Sequence, residues 1–474
     1  MSDSRIPRDI AVVGAGAAGT LTAMRLLHHR AAGEDVPLRV WLIGAGATGR
    51  GLAFGTDAPH HLLNVPAARM SAHWDDPDHF VRWLGDRGTG DDFVPRGLYG
   101  RYLADSLEAA RLEAASRRGG APDLARVHER VVGISHRPDR AGAPLSLRFA
   151  SGQCLDVEAA VLALGNFPPD PVWAPPSLRA SAGFVADLWA PGALAAVPDD
   201  GDVLLVGTGL TMVDAALTLQ RPGRVVHAVS RHGLVPQPHA EAPLVPAATP
   251  QLDARSGLTA LRRAVLRHVA ACRRTQGDWR PGVDSLRPVT VALWQQLSPA
   301  DQSRFLEKDL RLWETHRHRI PPTSAKALDD AVRAGRVTVS PGAVADARPM
   351  AGAPGALEVR LNDGRSLRVA AVVNCTGSQM DLSRVDDPLV AALLATGLGT
   401  LAPVGGGFDT TPAGRLRPAP DRAPAPLWTL GSLRRGNLLE TTAVPEIRRQ
   451  AADLAVRLRH RSEVRVPDMV PQAG

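Results

Sequence analysis

The feature that most constrains this chain is a glycine-rich turn that occurs twice, each time between a short apolar run and a helical pattern. The first turn, Gly14–Gly19, follows the apolar run Asp9–Val13. The second, Gly207–Met212, follows Asp202–Val206 and begins about 193 residues later. A strand, a glycine turn and a helix open a βαβ unit. Both turns therefore predict a parallel sheet covered by helices.

The spacing of the two turns predicts the organisation of the chain. With 474 residues the chain is long enough for about two to four domains. We expect an α/β fold with two Rossmann-like dinucleotide-binding domains, one inserted in the other. The expected boundaries are residues 1–195 and 346–474 for the domain that contains the first turn and 196–345 for the domain that contains the second. Helical patterns predict a helical excursion over about 250–330 in the inserted domain.

The net charge of +7 does not indicate nucleic-acid binding. Only Lys308 and Lys326 are lysines among the 55 basic residues, and the arginines are scattered rather than gathered in a stripe. The first residues do not have the pattern of a secretory signal, and no apolar run approaches the roughly 20 residues of a membrane span. We expect a cytoplasmic protein that binds neither nucleic acid nor membrane.

The three cysteines exclude several kinds of site. Cys154, Cys272 and Cys375 lie far apart without a CxxC pair. This spacing excludes a disulfide scaffold, a zinc ribbon and a dithiol centre of adjacent cysteines, and it fits a reducing compartment. We expect no metal site.

The first turn has the residues that a dinucleotide requires. Gly14 permits the tight bend, Gly16 lets the main chain approach a pyrophosphate, and Gly19 lets helix and strand pack closely. The N-terminus of the following helix, near Ala18, directs N–H groups at the phosphates. Gly44 stands where an acid normally takes the ribose hydroxyls. Either another group holds the adenosine ribose, or the dinucleotide binds weakly.

The second turn indicates a nicotinamide cofactor. Met212 replaces the third glycine, and the next strand ends in Ser230 and Arg231 rather than in an acid. An arginine there can pair with a 2′-phosphate, which favours NADPH over NADH; a solvated arginine is the alternative. The predicted NADPH-binding residues are Gly207, Gly209, Leu210, Thr211, Ser230 and Arg231. Two such folds in one chain indicate a flavoprotein with FAD on the first fold and NADPH on the second.

Several segments resemble one bacterial protein family. They are Gly49–Gly55, His61–Ala67 with Met70, Phe93–Gly100, Gly207–Asp214, Ser230–His239, Trp279–Pro281, His316–Arg319 and Glu440–Arg448. Together they resemble the FAD/NAD(P)-binding protein family, a relative of flavin-containing and N-hydroxylating monooxygenases. This chain departs from the family at Gly44, where the family has an acid, and at Phe54, where it has a tyrosine.

The resemblance and the first turn together imply a set of FAD contacts. The helix after Thr442 is expected to face the flavin, and Asn64, followed by Met70, resembles a monooxygenase segment beside the flavin ring. The amide of Asn64 is our candidate catalytic group; a turn residue before Pro66 is the alternative. The predicted FAD-binding residues are Gly14, Gly16, Ala18, Gly19, Arg50, Gly51, Asn64, Met70, Gly165, Gly377 and Thr442.

The implied function is that of an NADPH-dependent FAD monooxygenase. NADPH would reduce FAD, O₂ would react with the reduced flavin, and one oxygen atom would pass to a small molecule, an amine or amino acid of specialised metabolism. The alternatives are a FAD-dependent oxidase or dehydrogenase without oxygen transfer, and a degenerate dinucleotide-binding protein with a non-catalytic role. The oligomeric state does not follow from the sequence.

Overall fold

The computed structural model describes residues 8–28, 37–116, 123–350 and 356–459. The strands in these ranges are β1 (Arg8–Val13), β2 (Leu38–Ile43), β3 (Asp123–Val127), β4 (Val131–His136), β5 (Leu145–Phe149), β6 (Cys154–Val157), β7 (Ala159–Leu162), β8 (Phe184–Val185), β9 (Val203–Val206), β10 (Val226–Ser230), β11 (Val337–Pro341), β12 (Val344–Pro349), β13 (Leu357–Leu361), β14 (Ser366–Val369), β15 (Ala371–Asn374) and β16 (Leu427–Thr429).

The α-helices in the same ranges are α1 (Ala17–His28), α2 (Gly51–Phe54), α3 (His79–Leu84), α4 (Arg96–Ser116), α5 (Pro176–Arg179), α6 (Leu210–Leu219), α7 (Leu258–Gln276), α8 (Arg280–Asp284), α9 (Thr290–Gln296), α10 (Pro299–Lys308), α11 (Leu310–Arg317), α12 (Pro322–Arg333), α13 (Pro388–Ala395), α14 (Arg435–Leu438) and α15 (Val444–Arg459). The α/β fold with two parallel sheets confirms the predicted fold class.

The described residues fall into two compact units. The first lies within Met1–Ala58, Val65–Asn166 and Met380–Gly474, and the second comprises Pro59–Asn64 and Phe167–Gln379. One unit is thus inserted in the other, but the insertion is longer than the predicted range 196–345.

Strand pairing explains the longer insertion. The stretch 168–200, which reads as a linker in the sequence, contributes the two-residue strand β8, and β8 pairs with β15. Strand β15 in turn pairs with β9, the strand that leads into the second glycine turn. Both flanks of the predicted insert therefore belong to the sheet of the second unit.

The first unit is built on a parallel sheet in the order β16-β7-β1-β2-β3. Helix α1 follows β1 through the first glycine turn, and helices α4 and α15 pack against it. The central strand β1 is buried on both faces, as its continuous apolar run predicts. Strands β4, β5 and β6 form a separate antiparallel sheet.

A buried arginine joins the ends of the first unit. Arg8, only 4% exposed, donates from Nε to the carboxylate of Glu158 at 2.8 Å. Its Nη1 and Nη2 donate to the main-chain carbonyls of Arg459 (2.9 Å) and Leu458 (2.8 Å). These carbonyls belong to the last turn of α15, where no intrahelical donor is available. Arg8 thus caps the C-terminal helix from the first strand.

The second unit has a parallel sheet in the order β11-β10-β9-β15-β8 and an antiparallel sheet of β12, β13 and β14. Helices α7 to α12 form the predicted helical excursion and connect β10 to β11. Helices α10 and α11 are separated only by Asp309, and strands β14 and β15 only by Ala370.

Candidate functional site

The first glycine turn contains two glycines that the fold itself requires. Gly14 has a φ of 113°, and a Cβ on it would lie 2.2 Å from the carbonyl oxygen of Ala163. A Cβ on Gly19 would lie 1.7 Å from the carbonyl oxygen of Gly14. Neither position can hold a side chain unless the main chain moves. The tight bend and the close packing of helix on strand are both present as predicted.

Gly16 is different, because the protein around it leaves room for a side chain. Its φ is not in the left-handed region, and the nearest atom to an added Cβ would be the Cα of Gly51 at 3.5 Å, an ordinary contact. The turn therefore has a glycine at a position where packing does not demand one. Close approach of the main chain to a pyrophosphate accounts for it, so the residues present fit the phosphates of FAD.

The segment beside this turn supplies a positive charge. Arg50 pairs with the carboxylate of Asp57, and its Nε is buried without a hydrogen-bond partner among the described residues. Gly51, which follows it, is exposed and has a φ of 49°. Gly51 thus lies beside the space at Gly16, and Arg50 is its neighbour in the chain.

The structure also explains the glycine found in place of the ribose-binding acid. A Cβ on Gly44 would lie 2.8 Å from the main-chain nitrogen of Ala15 and 2.9 Å from its Cβ. Any side chain at this position would collide with the glycine turn itself. An acid cannot be accommodated at residue 44 in this backbone, and the ribose of a bound dinucleotide must find other partners.

The remaining predicted FAD residues separate into two groups. In the first unit Ala18 lies in the opening turn of α1, Met70 is buried, and Thr442 is exposed shortly before α15 begins. Gly165, also in the first unit, has a φ of 72° and no atom within 4 Å of an added Cβ. The second group, described next, lies in the second unit.

Asn64 and Gly377 are counted with the second unit. The main-chain carbonyl of Asn64 accepts a hydrogen bond of 2.9 Å from Nε2 of His239. Gly377, with a φ of 93°, lines a cavity of this unit together with the second glycine turn. The boundaries predicted from the sequence assign both residues to the FAD-binding domain, whereas the structure counts them with the second unit.

Two histidines fasten the segment Pro59–Asn64 to helix α6. The hydroxyl of Thr218 donates to the carbonyl of Asp214 at 2.7 Å. It can therefore only accept from Nε2 of His60 (2.8 Å) and Nε2 of His61 (3.0 Å). Both imidazoles must carry a proton on Nε2, and burial lowers the pKa of His60. The segment is thus bound at one end by α6 and at the other by His239.

The second unit contains a cavity of about 560 Å³ at the carboxyl ends of its parallel strands. All six residues predicted to bind NADPH line it. Ligands of open parallel sheets bind at this edge of the sheet. The complete lining is Trp173, Val206, Gly207, Thr208, Gly209, Leu210, Thr211, Ser230, Arg231, His232, Pro236, Arg311, Glu314, His318, Gly342, Ala343, Val344, Cys375, Thr376 and Gly377.

The second glycine turn, like the first, combines a glycine that packing requires with one that it does not. A Cβ on Gly207, whose φ is 107°, would lie 2.2 Å from the carbonyl oxygen of Cys375. An added Cβ on Gly209 would meet nothing closer than Nη1 of Arg311, at 3.8 Å. Met212 is fully buried in the core beneath the sheet. Gly209 therefore leaves open the space in which a cofactor phosphate can approach helix α6.

Ser230 and Arg231, the two candidates for binding the 2′-phosphate, differ in how far their side chains are held by the protein. Thr208 donates to the carbonyl of Leu234 at 2.5 Å, so the hydroxyl of Ser230 must donate to Thr208 across 2.8 Å. It also accepts from the amide of Gly233 at 3.1 Å. Arg231, by contrast, is exposed at the rim of the cavity. Ser230 shapes the strand end, whereas Arg231 can move to an incoming phosphate.

Sequence reasoning missed three charged or titratable residues on the cavity wall. Arg311, Glu314 and His318 lie on or at the end of α11 in the helical excursion. Their spacing of three and four places them on one helix face, and this spacing is the signal that could have found them. Arg311 donates from Nη2 to the main-chain carbonyls of Thr208 (3.0 Å) and Leu234 (2.8 Å). Burial lowers the pKa of its guanidinium.

No group of three or more His, Cys, Asp or Glu side chains in the described ranges is placed to hold a metal ion. No helix in the same ranges is both long and apolar enough to cross a membrane.

Comparison with known proteins agrees with this geometry. Residues 11–167 match the family described as FAD-NAD(P)-binding. The resemblance drawn from the sequence motifs is confirmed for this part of the chain, which holds the first glycine turn. Among curated proteins, none matches the chain significantly.

The fold of the chain resembles that of three solved hydroxylase and monooxygenase structures. Ornithine hydroxylase from Pseudomonas aeruginosa is 15% identical, with 96% of this chain and 99% of that chain covered and a TM-score of 0.61. The ornithine N-hydroxylase of Kutzneria sp. 744, solved with reduced FAD, NADP⁺ and L-ornithine, is 16% identical, with 96% and 100% covered and a TM-score of 0.62. L-lysine 6-monooxygenase from Pseudomonas syringae is 18% identical, with 96% and 99% covered and a TM-score of 0.59.

Proposed function

We propose that this protein is an NADPH-dependent FAD monooxygenase that oxygenates the nitrogen of a small amine or amino acid. One observation carries the proposal: the chain contains two dinucleotide turns, each on its own parallel sheet and each with a glycine that packing does not require. Gly16 in the first turn and Gly209 in the second have space where a side chain would fit. Two such turns on separate sheets would let one chain bind FAD and NADPH at separate sites.

The assignment of cofactors follows from the residues around each turn. Arg50 beside Gly16 offers a donor and a positive charge to the FAD phosphates. Arg231 at the rim of the cavity in the second unit offers a charge-assisted hydrogen bond to a 2′-phosphate. FAD held at the first turn would supply the redox chemistry, that is, acceptance of a hydride from NADPH and activation of O₂. The protein binds and orients the cofactors and excludes water from the reacting atoms.

The overall reaction balances without a further reductant. An amine, O₂, NADPH and one proton would give the N-hydroxylated amine, NADP⁺ and water. The full-length correspondence with ornithine and lysine hydroxylases favours an amino acid with a side-chain amine. The three cysteines are free in the structure, and two of them are buried. They suit a reducing, cytoplasmic setting.

Flavin content and NADPH consumption test the proposal. The purified protein should contain FAD or take it up when FAD is added. NADPH oxidation should be measured with a panel of amines that includes ornithine and lysine, together with the peroxide released. A monooxygenase consumes NADPH faster with its amine and releases little peroxide. Equal peroxide and NADPH with every amine would indicate an oxidase, and failure to bind FAD would indicate a non-catalytic protein.

A further inference from the structure

The helical excursion carries an arginine directed at the second glycine turn. Arg311 lies in α11, more than 100 residues after Gly209, yet its Nη1 would be only 3.8 Å from a Cβ added to that glycine. Nη1 and Nε make no hydrogen bond to any described residue, because both hydrogen bonds of this side chain come from Nη2. Arg311 therefore has free donors at the place where the main chain leaves space for a phosphate.

The anchoring of Arg311 makes its position specific. Nη2 bridges the carbonyls of Thr208, within the turn, and Leu234, after strand β10. Two acceptors on one nitrogen fix the plane of the guanidinium and leave its other edge toward the cavity. Burial lowers the pKa of this group, but Glu314, one turn further along the same helix, favours the charged form. A half-buried cation with unused donors offers an anion charge-assisted hydrogen bonds.

We propose that Arg311 binds the pyrophosphate of the nicotinamide cofactor, so that the helical excursion closes over the part of the dinucleotide common to NADH and NADPH. The inference rests on the proposed function in that it assumes a nicotinamide dinucleotide in this cavity. Recognition of the cofactor is then divided between an arginine of the helical excursion and an arginine that follows strand β10. Arg311 holds the pyrophosphate, and Arg231 at the rim reads the 2′-phosphate.

Nucleotide fragments separate these two roles without any catalytic turnover. ADP contains a pyrophosphate and lacks the 2′-phosphate, whereas adenosine 2′-monophosphate has the 2′-phosphate alone. Isothermal titration of the FAD-loaded protein with each fragment, and with NADP⁺ and NAD⁺, gives the dissociation constants. Arg311→Gln should raise the dissociation constants of ADP, NAD⁺ and NADP⁺ about ten- to 150-fold, the range expected for the loss of a hydrogen bond to a charged group. Adenosine 2′-monophosphate should change less than twofold.

Three further variants control for a purely structural effect. Arg311→Lys keeps the charge and should recover part of the affinity for ADP. Lys308→Ala removes an exposed positive side chain from the neighbouring helix α10 and should leave all dissociation constants unchanged. Arg231→Ala should weaken the binding of adenosine 2′-monophosphate and NADP⁺ and leave the binding of ADP and NAD⁺ almost unchanged. Melting temperatures and flavin content of each variant should be recorded alongside.

The outcomes distinguish the possibilities. Weaker binding of ADP to Arg311→Gln, with unchanged binding of adenosine 2′-monophosphate, supports the proposal. Equal weakening of both fragments, or equal affinities in the Gln and Lys variants, would mean that Arg311 only holds the turn and would overturn the proposal. If the unmutated protein binds NADP⁺ and the Arg311 variants bind every ligand normally, the inference fails and the proposed function stands. If the unmutated protein binds no nucleotide, both fail.

Discussion

Nε2 of His239 lies 2.9 Å from the main-chain carbonyl oxygen of Asn64, to which it donates a hydrogen bond. His239 itself is held by its amide, which donates to the carbonyl of Ile320 at 2.9 Å. Together with the hydrogen bonds of His60 and His61 to Thr218, this contact restrains the main chain on both sides of Leu62 and Leu63. The side chain of Asn64 therefore leaves a fixed backbone in a defined direction.

If the amide of Asn64 serves the reaction of reduced flavin with O₂, Asn64→Ala should uncouple the enzyme. Flavin reduction by NADPH should stay near its normal rate, while the peroxide released per NADPH rises about fivefold, as expected from the loss of one neutral hydrogen bond of about 1 kcal/mol. Anaerobic stopped-flow reduction and a peroxide assay measure the two quantities. Unchanged coupling in Asn64→Ala and in the similarly sized Asn64→Asp would leave Asn64 a turn residue.

Valine substitutions at Gly16 and Gly209, the two glycines that packing does not require, should each abolish the binding of a different cofactor. Gly16→Val should abolish flavin retention, because its side chain enters the space left for the FAD phosphates, and the apoprotein should still fold since an added Cβ has only an ordinary contact with Gly51. Gly209→Val is the matched variant: it should keep FAD and lose NADPH. Absorbance spectra and nucleotide titrations report both. A yellow, fully loaded Gly16→Val protein would contradict the assignment of the first turn.

Arg231→Ala should discriminate between the nicotinamide cofactors. One charge-assisted hydrogen bond to the 2′-phosphate contributes about 1.5–3 kcal/mol, or roughly ten- to 150-fold. The KM for NADPH should therefore rise at least tenfold, while the KM for NADH stays almost unchanged. Steady-state kinetics with each cofactor check this. Equal losses with both would show that Arg231 does not read the phosphate.

Protein stability should fall in mild acid because of His73. Burial, followed by the nearby His79, His28 and Arg25, lowers the pKa of His73 to about 4, and Asp75 opposes this only in part. The unfolded chain, with an ordinary pKa, takes up this proton first. His73 therefore contributes stability that is complete above about pH 6.5 and is lost as the pH falls toward 4.

The size of this effect is roughly 1–3 kcal/mol once solvent screening is allowed for. Urea unfolding between pH 4.5 and pH 7.5 measures it. The unmutated protein should lose more stability across this range than His73→Gln, which cannot titrate. Parallel pH profiles for the two proteins would show that His73 is not the responsible group.

The residues predictable from the sequence are those whose role is local. Gly14 and Gly19 sit within the turn they shape, so their spacing was enough to predict the bend and the close packing. Arg231 could be predicted because it directly follows the second strand of the βαβ unit. Arg311 could not be predicted in the same way, because its place beside Gly209 depends on how six helices of the excursion fold back.

The departures from expectation have equally physical causes. The missing acid at Gly44 is explained by the approach of Ala15, a contact between two loops that no local pattern reveals. The boundary of the insertion was misplaced because β8 has only two residues, too few for a sequence pattern, and is defined by its pairing with β15. Long-range pairing and loop contact were what the sequence alone did not provide.

Isotope labelling tests the central claim most directly. The FAD-loaded protein should be incubated with NADPH and an accepted amine under ¹⁸O₂, and the product examined by mass spectrometry. A monooxygenase places one ¹⁸O atom from the gas in each product molecule and none from ¹⁸O-labelled water. A product without ¹⁸O, or NADPH consumption that yields only labelled peroxide with every amine, would contradict the assignment.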